Sequence, residues 1–294
     1  MKPFPFSLHP RESPAAWLHR TVTGLIDAAV NSPTSTPADL DESVHVLRTT
    51  VKRLRSLLRL LRPVLPRAFF TRENTRLQTA ACRLAAGRDQ TVLLQTLAAL
   101  AAAAEDEESR TILLNLKNHA SQKSRPIPLR TIQTSRRSLT TFQRALFRIN
   151  LTATAWSSLA LTTEYRRARK RMRDAKKSPN PESFHTWRIA VKRVYYQFQW
   201  LAPLWPQKLP ALVPLLNQLE DALGIEHDLW VLREKMAALP LAPPAAKTLT
   251  KAIKHRSRHL RHKAKSLGQH LFQNHPRRFE RKLLHHATAW QESL

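Results

Sequence analysis

"ESVHVLRTTVKRLRSLLRLLRPVLP", residues 42–66, carries six basic side chains and a histidine on a stretch with helical periodicity, and residues 182–206, "ESFHTWRIAVKRVYYQFQWLAPLWP", come close to repeating it. Sliding the chain by 140 residues superposes Glu42, Ser43, His45, Arg48, Val51, Lys52, Arg53, Leu61, Pro63 and Pro66 on identical residues, 10 identities in 25 positions. Further on, "GRDQTVLLQTL" and "EHDLWVLREKM" match at a shift of 139, pairing Asp89 with Asp228, Val92 with Val231 and Leu93 with Leu232. A period this long is no solenoid unit. It predicts two similar helical bundles packed about an approximate twofold axis. The expected organisation is one domain over 1–294 made of two repeats, an N-terminal bundle over 14–150 and a C-terminal bundle over 151–294.

On a helix at about 100° per residue, Arg48, Lys52, Arg55, Arg59 and Arg62 fall within about 100° of one another on the side of His45. Leu47, Val51, Leu54, Leu57, Leu58 and Leu61 gather opposite. The cationic row extends roughly 20 Å, a track rather than a pocket. A solvated helix face usually mixes Glu with Lys at i,i+4 spacing, yet no Asp or Glu lies between Val44 and Phe70. Unopposed like charge at this spacing is unfavourable, so a ligand-facing track is the better reading. The second copy keeps His185, Arg188, Lys192 and Arg193 but has Tyr195, Tyr196 and Gln199 where the first has Arg55, Ser56 and Arg59. Phe184, Trp187, Phe198 and Trp200 are assigned to its core, while Tyr195 and Tyr196 stay open between core and ligand.

Composition frames these motifs. With 294 residues and 42% hydrophobic content the chain can bury a substantial core. Its 49 Lys plus Arg against 21 Asp plus Glu give a net charge of +28, beyond what solubility needs, and make a polyanion the first partner to consider. The single cysteine, Cys82, forms no internal disulfide; the start of the chain lacks a signal-peptide core, and "QTVLLQTLAALAAAA" is too short and polar for a membrane span. A cytoplasmic protein with no membrane association is expected. Four glycines, scarce alternation and apolar residues three and four apart predict an all-α chain. The 20 prolines are expected to begin or end helices rather than sit inside them.

Two further segments are basic. "EYRRARKRMRDAKK", from Glu164, has too few apolar residues to be buried on any side, and Arg166, Arg169, Lys170, Arg173 and Lys177 make a second cationic face or a solvated arm, with Glu164 and Asp174 flanking but not neutralising it. "KAIKHRSRHLRHKAKSLGQH" aligns Lys251, Lys254, Arg258, Arg261 and Lys265 as a third wall. Its His255, His259 and His262 have metal-like spacing but stand among cations, so hydrogen bonds to phosphate oxygens are preferred to a metal site. His45 and His185 are either ligands or buried histidines at the starts of their helices.

The paired H-x-x-R-x-x-x-K-R motifs, "HVLRTTVKR" and "HTWRIAVKR", each followed by the "RDQTVL" or "HDLWVL" segment, resemble the CHAD family, the conserved histidine α-helical domain. The likeness covers most of the chain, and "LGQHLFQNHPRRFERKL" looks like that family's closing helices. The resemblance implies two helical bundles with pseudo-twofold symmetry around a basic central groove or pore that binds inorganic polyphosphate, in proteins linked to polyphosphate granules and sometimes associated with triphosphate-cleaving tunnel enzymes. By position it points to His45, Arg48, Lys52, Arg53 and Arg55 in the first half and His185, Arg188, Lys192 and Arg193 in the second; Tyr195 removes a cation the family usually places there.

Catalysis on phosphoanhydrides would require carboxylates holding a divalent metal near these cations. The densest acidic cluster, "EDEES" from Glu105, sits apart, and no phosphate loop, nucleophile elbow or zinc-protease helix is present. Asp89 and Asp228 suit ion pairs or helix caps. The expected function is binding of polyphosphate as a non-catalytic binding or granule-targeting module, with no metal or cofactor; a helical nucleic-acid-binding protein is the alternative. The expected contacts are the motif residues above with Arg59, then Arg166, Arg169, Lys170 and Arg173, then Lys254, Arg258, Arg261 and Lys265.

Overall fold

The computed structural model describes residues 6, 9, 12–85, 88–104, 106–121, 127–151, 159–235 and 243–292, side chains at 88–92, 108, 119–121, 235, 244, 245 and 290–292 excepted. Among them are eleven α-helices and no strand, as the three- and four-residue periodicity requires. The helices are α1 (Pro14–Val30), α2 (Pro37–Leu61), α3 (Arg67–Arg83), α4 (Arg88–Ala102), α5 (Glu107–Ser121), α6 (Leu129–Phe147), α7 (Thr163–Lys177), α8 (Pro181–Leu201), α9 (Leu209–Lys235), α10 (Pro243–Leu271) and α11 (Pro276–Glu292).

The two motif helices, α2 and α8, begin alike. Thr36 accepts from the N–H of Asp39 at 3.1 Å while Asp39 accepts from the N–H of Thr36, and Asn180 and Ser183 make the same reciprocal box before α8. Pro37 and Pro181 occupy the first turns, where a missing N–H costs nothing. Caps are thus supplied by Thr36 and Asn180, and neither motif histidine serves as one. Pro214 departs from the expected placement of prolines: it lies inside α9 and lacks the N–H that a helix would direct at the carbonyl of Pro210.

Helix α2 packs against α1, α3 and α6, helix α8 against α7 and α9, and the two motif helices pack on each other. Leu47, Val51, Leu54, Leu57, Leu58 and Leu61 are all buried, and so are Phe184, Trp187, Phe198 and Trp200. Residues before α7 reinforce the crossing, with Ala160 N–H donating to the carbonyl of Leu60 at 2.9 Å and Gln197 Nε2 donating to that of Ala160 at 2.8 Å.

Helix α7 corrects the sequence reading, which left it unburied on every side. Tyr165, Ala168, Met172 and Ala175 form a narrow buried stripe, and the Tyr165 ring stacks on Phe279 with centroids 4.4 Å apart. Two alanines, one methionine and one aromatic are enough because the neighbouring surface is aromatic and close, a property of α8 and α11 rather than of α7 itself. At the other end of this contact, a Cβ on Gly268 would stand 2.6 Å from Trp187 Cζ2, so only glycine lets α10 approach α8 this closely.

Candidate anion-binding site

The apolar stripe of α2 fixes which of its cations face outward and where. Arg55 and Arg59, one helical turn apart, line a recess of about 620 Å³ with Arg62 just beyond the helix, Asn74 and Gln78 on α3, Thr163, Glu164 and Arg167 on α7, and Arg193 on α8. Arg55 is held by Asn74 Oδ1 and Gln78 Oε1, both at 3.3 Å. Arg59 donates to the carbonyl of Arg55 at 3.1 Å, and the Arg62 guanidinium lies 5.1 Å from the Phe70 ring centroid. Five guanidinium groups therefore share one concavity with a single carboxylate. Glu164, 4% exposed, accepts from Arg167 at 3.1 Å and stands 3.9 Å from Arg193.

Crowding of like charge shows in the ionisation of the group. Burial, then the like charges of Arg193 and Arg55, bring Arg59 down to about 10, and burial followed by Arg193 lowers Arg55 as well. Both stay protonated at neutral pH, so the recess keeps its charge at a cost in self-repulsion that a bound anion would relieve.

The remaining motif cations do not join this recess. Arg48 donates to the carbonyl of Leu84 at 2.5 Å, closing the end of α3. Arg53 is turned to another face, where burial lowers its pKa; it donates to Gln199 Oε1 at 3.0 Å and lies 5.5 Å from the Phe6 ring. His45 is exposed. On α8, Lys192 pairs with Glu220 of α9 at 2.5 Å. Burial works to raise Glu220, and Lys192, Arg188 and Lys52 together outweigh it, leaving the carboxylate below its ordinary value. Lys52 thus belongs to the field of α9. Arg188 packs over Gly224, with its Nε buried and without a hydrogen-bond partner among the described residues. His185 and His227 meet Nδ1 to Nδ1 at 3.1 Å; burial, then Arg188, lowers His185, and burial, then Arg188, His185 and Lys192, brings His227 to about 4.

The two secondary segments separate. On α10, Arg261 is taken by buried Glu226 at 2.6 Å and lies 4.8 Å from the Phe184 ring, with Lys265 on the same ring at 5.9 Å. Burial nevertheless raises Glu226, with Arg261 opposing. Lys254, Arg258, His255, His259 and His262 are exposed, and no α10 cation is among the residues lining the recess. On α7, Thr163, Arg166, Arg169, Lys170 and Arg173 line an open cavity of about 1220 Å³ together with His275, just before α11, and Arg277 of α11. Arg169 is anchored to the carbonyl of Phe272 at 2.9 Å, and Arg166 stands 3.9 Å from Glu280. The flanking acids are engaged after all, Glu164 by Arg167 and Asp174 by Arg171 at 3.3 Å.

Sequence reading missed Glu164, Glu220 and Glu226 as partners, because each meets its cation across helices or from the far side of a turn. It also missed Arg167, Asn74 and Gln78 as recess residues; the i,i+4 spacing of Asn74 and Gln78, which faces them together toward α2, was the available signal. Tyr196 is buried, and Tyr195 lies half-buried against it with ring centroids 5.0 Å apart. The side chain of Asp89 lies outside the described residues, and Asp228 is half-buried and engaged. Among the described residues no group of three or more His, Cys, Asp or Glu could hold a metal ion.

Helices packed around a guanidinium-lined concavity define the class, an all-α protein with concentrated cationic surface. The family model of the CHAD domain matches residues 24–237, more than half of the chain and inclusive of both motifs, and the chain belongs to that family. Polyphosphate binding is the known association of the CHAD domain. No curated protein and no solved structure matches the chain.

Proposed function

We propose that this protein binds inorganic polyphosphate in the recess between α2, α3, α7 and α8, without cleaving it, as a binding or granule-targeting module. The observation that carries this reading is the set of five arginines facing one another around a lone carboxylate. A guanidinium presents paired donors to phosphate oxygens, remains charged at neutral pH and is more weakly hydrated than an ammonium, which favours arginine where several anionic groups must be held in a partly buried space. An unbranched chain with charge on every phosphate can neutralise all five, which an isolated phosphate cannot.

The non-catalytic part of the reading rests on where the carboxylates are. Glu164, Glu220 and Glu226 are each committed to an arginine or lysine, an arrangement suited to charge balance rather than to holding a divalent metal. Among the described residues no helix is long and apolar enough to cross a membrane, in keeping with a role at polyphosphate granules in the cytoplasm.

The test is a competition titration at moderate salt between long-chain polyphosphate and RNA or duplex DNA of equal charge, with a salt series. Polyphosphate should win, and log K should fall against log salt with a slope of about −3 to −4, as about five phosphate contacts require. Equal or weaker binding of polyphosphate transfers the site to nucleic acid. Sustained orthophosphate release in the presence of Mg²⁺ or Mn²⁺ overturns the non-catalytic part.

A further inference from the structure

The recess is not a closed box. Thr163 and Arg167, at the start of α7, line both the recess and the open cavity between α7 and α11, so the two concavities meet along their shared edge. From there Thr163, Arg166, Lys170 and Arg173 follow one another within about 80° of the α7 surface, a row roughly 15 Å long. The buried stripe of Tyr165, Ala168, Met172 and Ala175 holds α7 from behind and fixes this row outward. Arg277 of α11 forms the opposite side.

This ledge is as poorly compensated as the recess. Glu280 reaches Arg166 only at 3.9 Å, and Asp174 turns to Arg171. Lys170, Arg173 and Arg277 make no ion pair among the described residues. Nothing in the packing of α7 needs their charge, since the stripe that holds the helix is apolar.

We infer that the ledge is a second, contiguous subsite for the same anion, so that one polyphosphate chain enters the recess, crosses at Thr163 and Arg167 and lies along α7. The inference rests on the proposed polyphosphate reading and adds a selection by length: a chain that fills only the recess gains nothing from Lys170, Arg173 or Arg277, while a longer one gains all three. The ledge is open and the recess partly buried, so the ledge contacts are the more strongly screened by salt.

The experiment compares the wild-type chain with a Lys170→Gln, Arg173→Gln, Arg277→Gln variant, titrating each with tripolyphosphate and with long-chain polyphosphate. All three side chains are exposed and helicity should be retained. The variant is expected to bind tripolyphosphate within about twofold of wild type and long-chain polyphosphate about tenfold more weakly or worse. Unchanged long-chain affinity, or an equal loss for both ligands with helicity intact, overturns the ledge. Should the triple variant lose helicity, the three single substitutions carry the test, each expected to lose part of the long-chain affinity alone. A wild-type chain that binds neither ligand sinks the polyphosphate reading itself, a result distinct from failure of the ledge.

Discussion

The indole N–H of Trp200 donates to the carbonyl of Arg53 at 3.0 Å, so the end of the second motif helix is tied to the middle of the first. The bond lies in an aromatic nest, with Phe6 4.7 Å and Trp17 5.8 Å from the Trp200 ring. Because the crossing of α2 and α8 sets Arg193 against Arg55 and Arg59, the geometry of the recess depends on a contact outside it.

Trp200→Phe should lower unfolding free energy by about 1 kcal/mol, since it keeps most of the apolar burial but loses the indole bond to the Arg53 carbonyl, which keeps its helical donor within α2. Trp200→Ala should cost about 3–5 kcal/mol. Urea denaturation reads both. A Trp200→Phe variant as stable as wild type would show that the bond does not hold the crossing.

Much of this was legible in the sequence. The 140-residue repeat marks α2 and α8, and their periodicity separates Leu54 and Leu58 from Arg55 and Arg59 correctly. Helical periodicity gives the face a residue occupies but not what stands opposite. Lys192 reads as a ligand-facing cation until α9 brings Glu220 against it. Arg53 sits off the cationic row by angle, and only the packing of α8 and Phe6 shows where it goes. The burial of α7 was hidden for the same reason: its stripe is too short to declare itself without the aromatic surface of Phe198 and Phe279 beside it.

Glu164 occupies the place of an anion. Its carboxylate bonds Arg167 and faces Arg193 within the recess, so a bound phosphate must share or displace these contacts. Glu164→Gln should destabilise the free protein by about 1 kcal/mol, since the carboxylate is buried but the Arg167 it pairs with is 44% exposed and stays solvated when unpaired, and should bind polyphosphate more tightly. The two effects combine into one signature: a lower melting temperature without ligand and a larger rise on saturation with polyphosphate than wild type shows. Weaker binding by this variant would mean that Glu164 positions Arg167 and Arg193 for the ligand instead of competing with it.

The His185 and His227 pair makes the fold acid-sensitive. Both are held below the ordinary histidine value, His227 at about 4, so the unfolded chain binds protons that the folded chain refuses. Stability is full above about pH 6.5 and falls as the pH drops toward 4, where His227 of the folded state also titrates. The loss from this group should be about 2 kcal/mol after allowance for its partial exposure. His227 faces Arg188 and Lys192 as well as His185, so protonation adds charge where cations already crowd. His227→Gln should flatten the dependence of unfolding free energy on pH between 6.5 and 4; a variant that keeps the wild-type slope would place the sensitivity elsewhere.

Arg59 separates stability from binding most sharply. Its guanidinium is desolvated and repelled by Arg193 and Arg55, and the hydrogen-bond acceptor it has among the described residues, the Arg55 carbonyl, is neutral. Removing this guanidinium relieves its burial cost and the repulsion from Arg193 and Arg55, which together outweigh the attraction of Glu164. Arg59→Met should therefore raise the urea midpoint of the free protein while weakening polyphosphate binding about tenfold or more. Raised salt should likewise stabilise wild type more than the variant, because only the wild type has this repulsion to screen. The opposite pairing, a less stable Arg59→Met chain with wild-type affinity, would make Arg59 a structural residue and move the anion away from the recess.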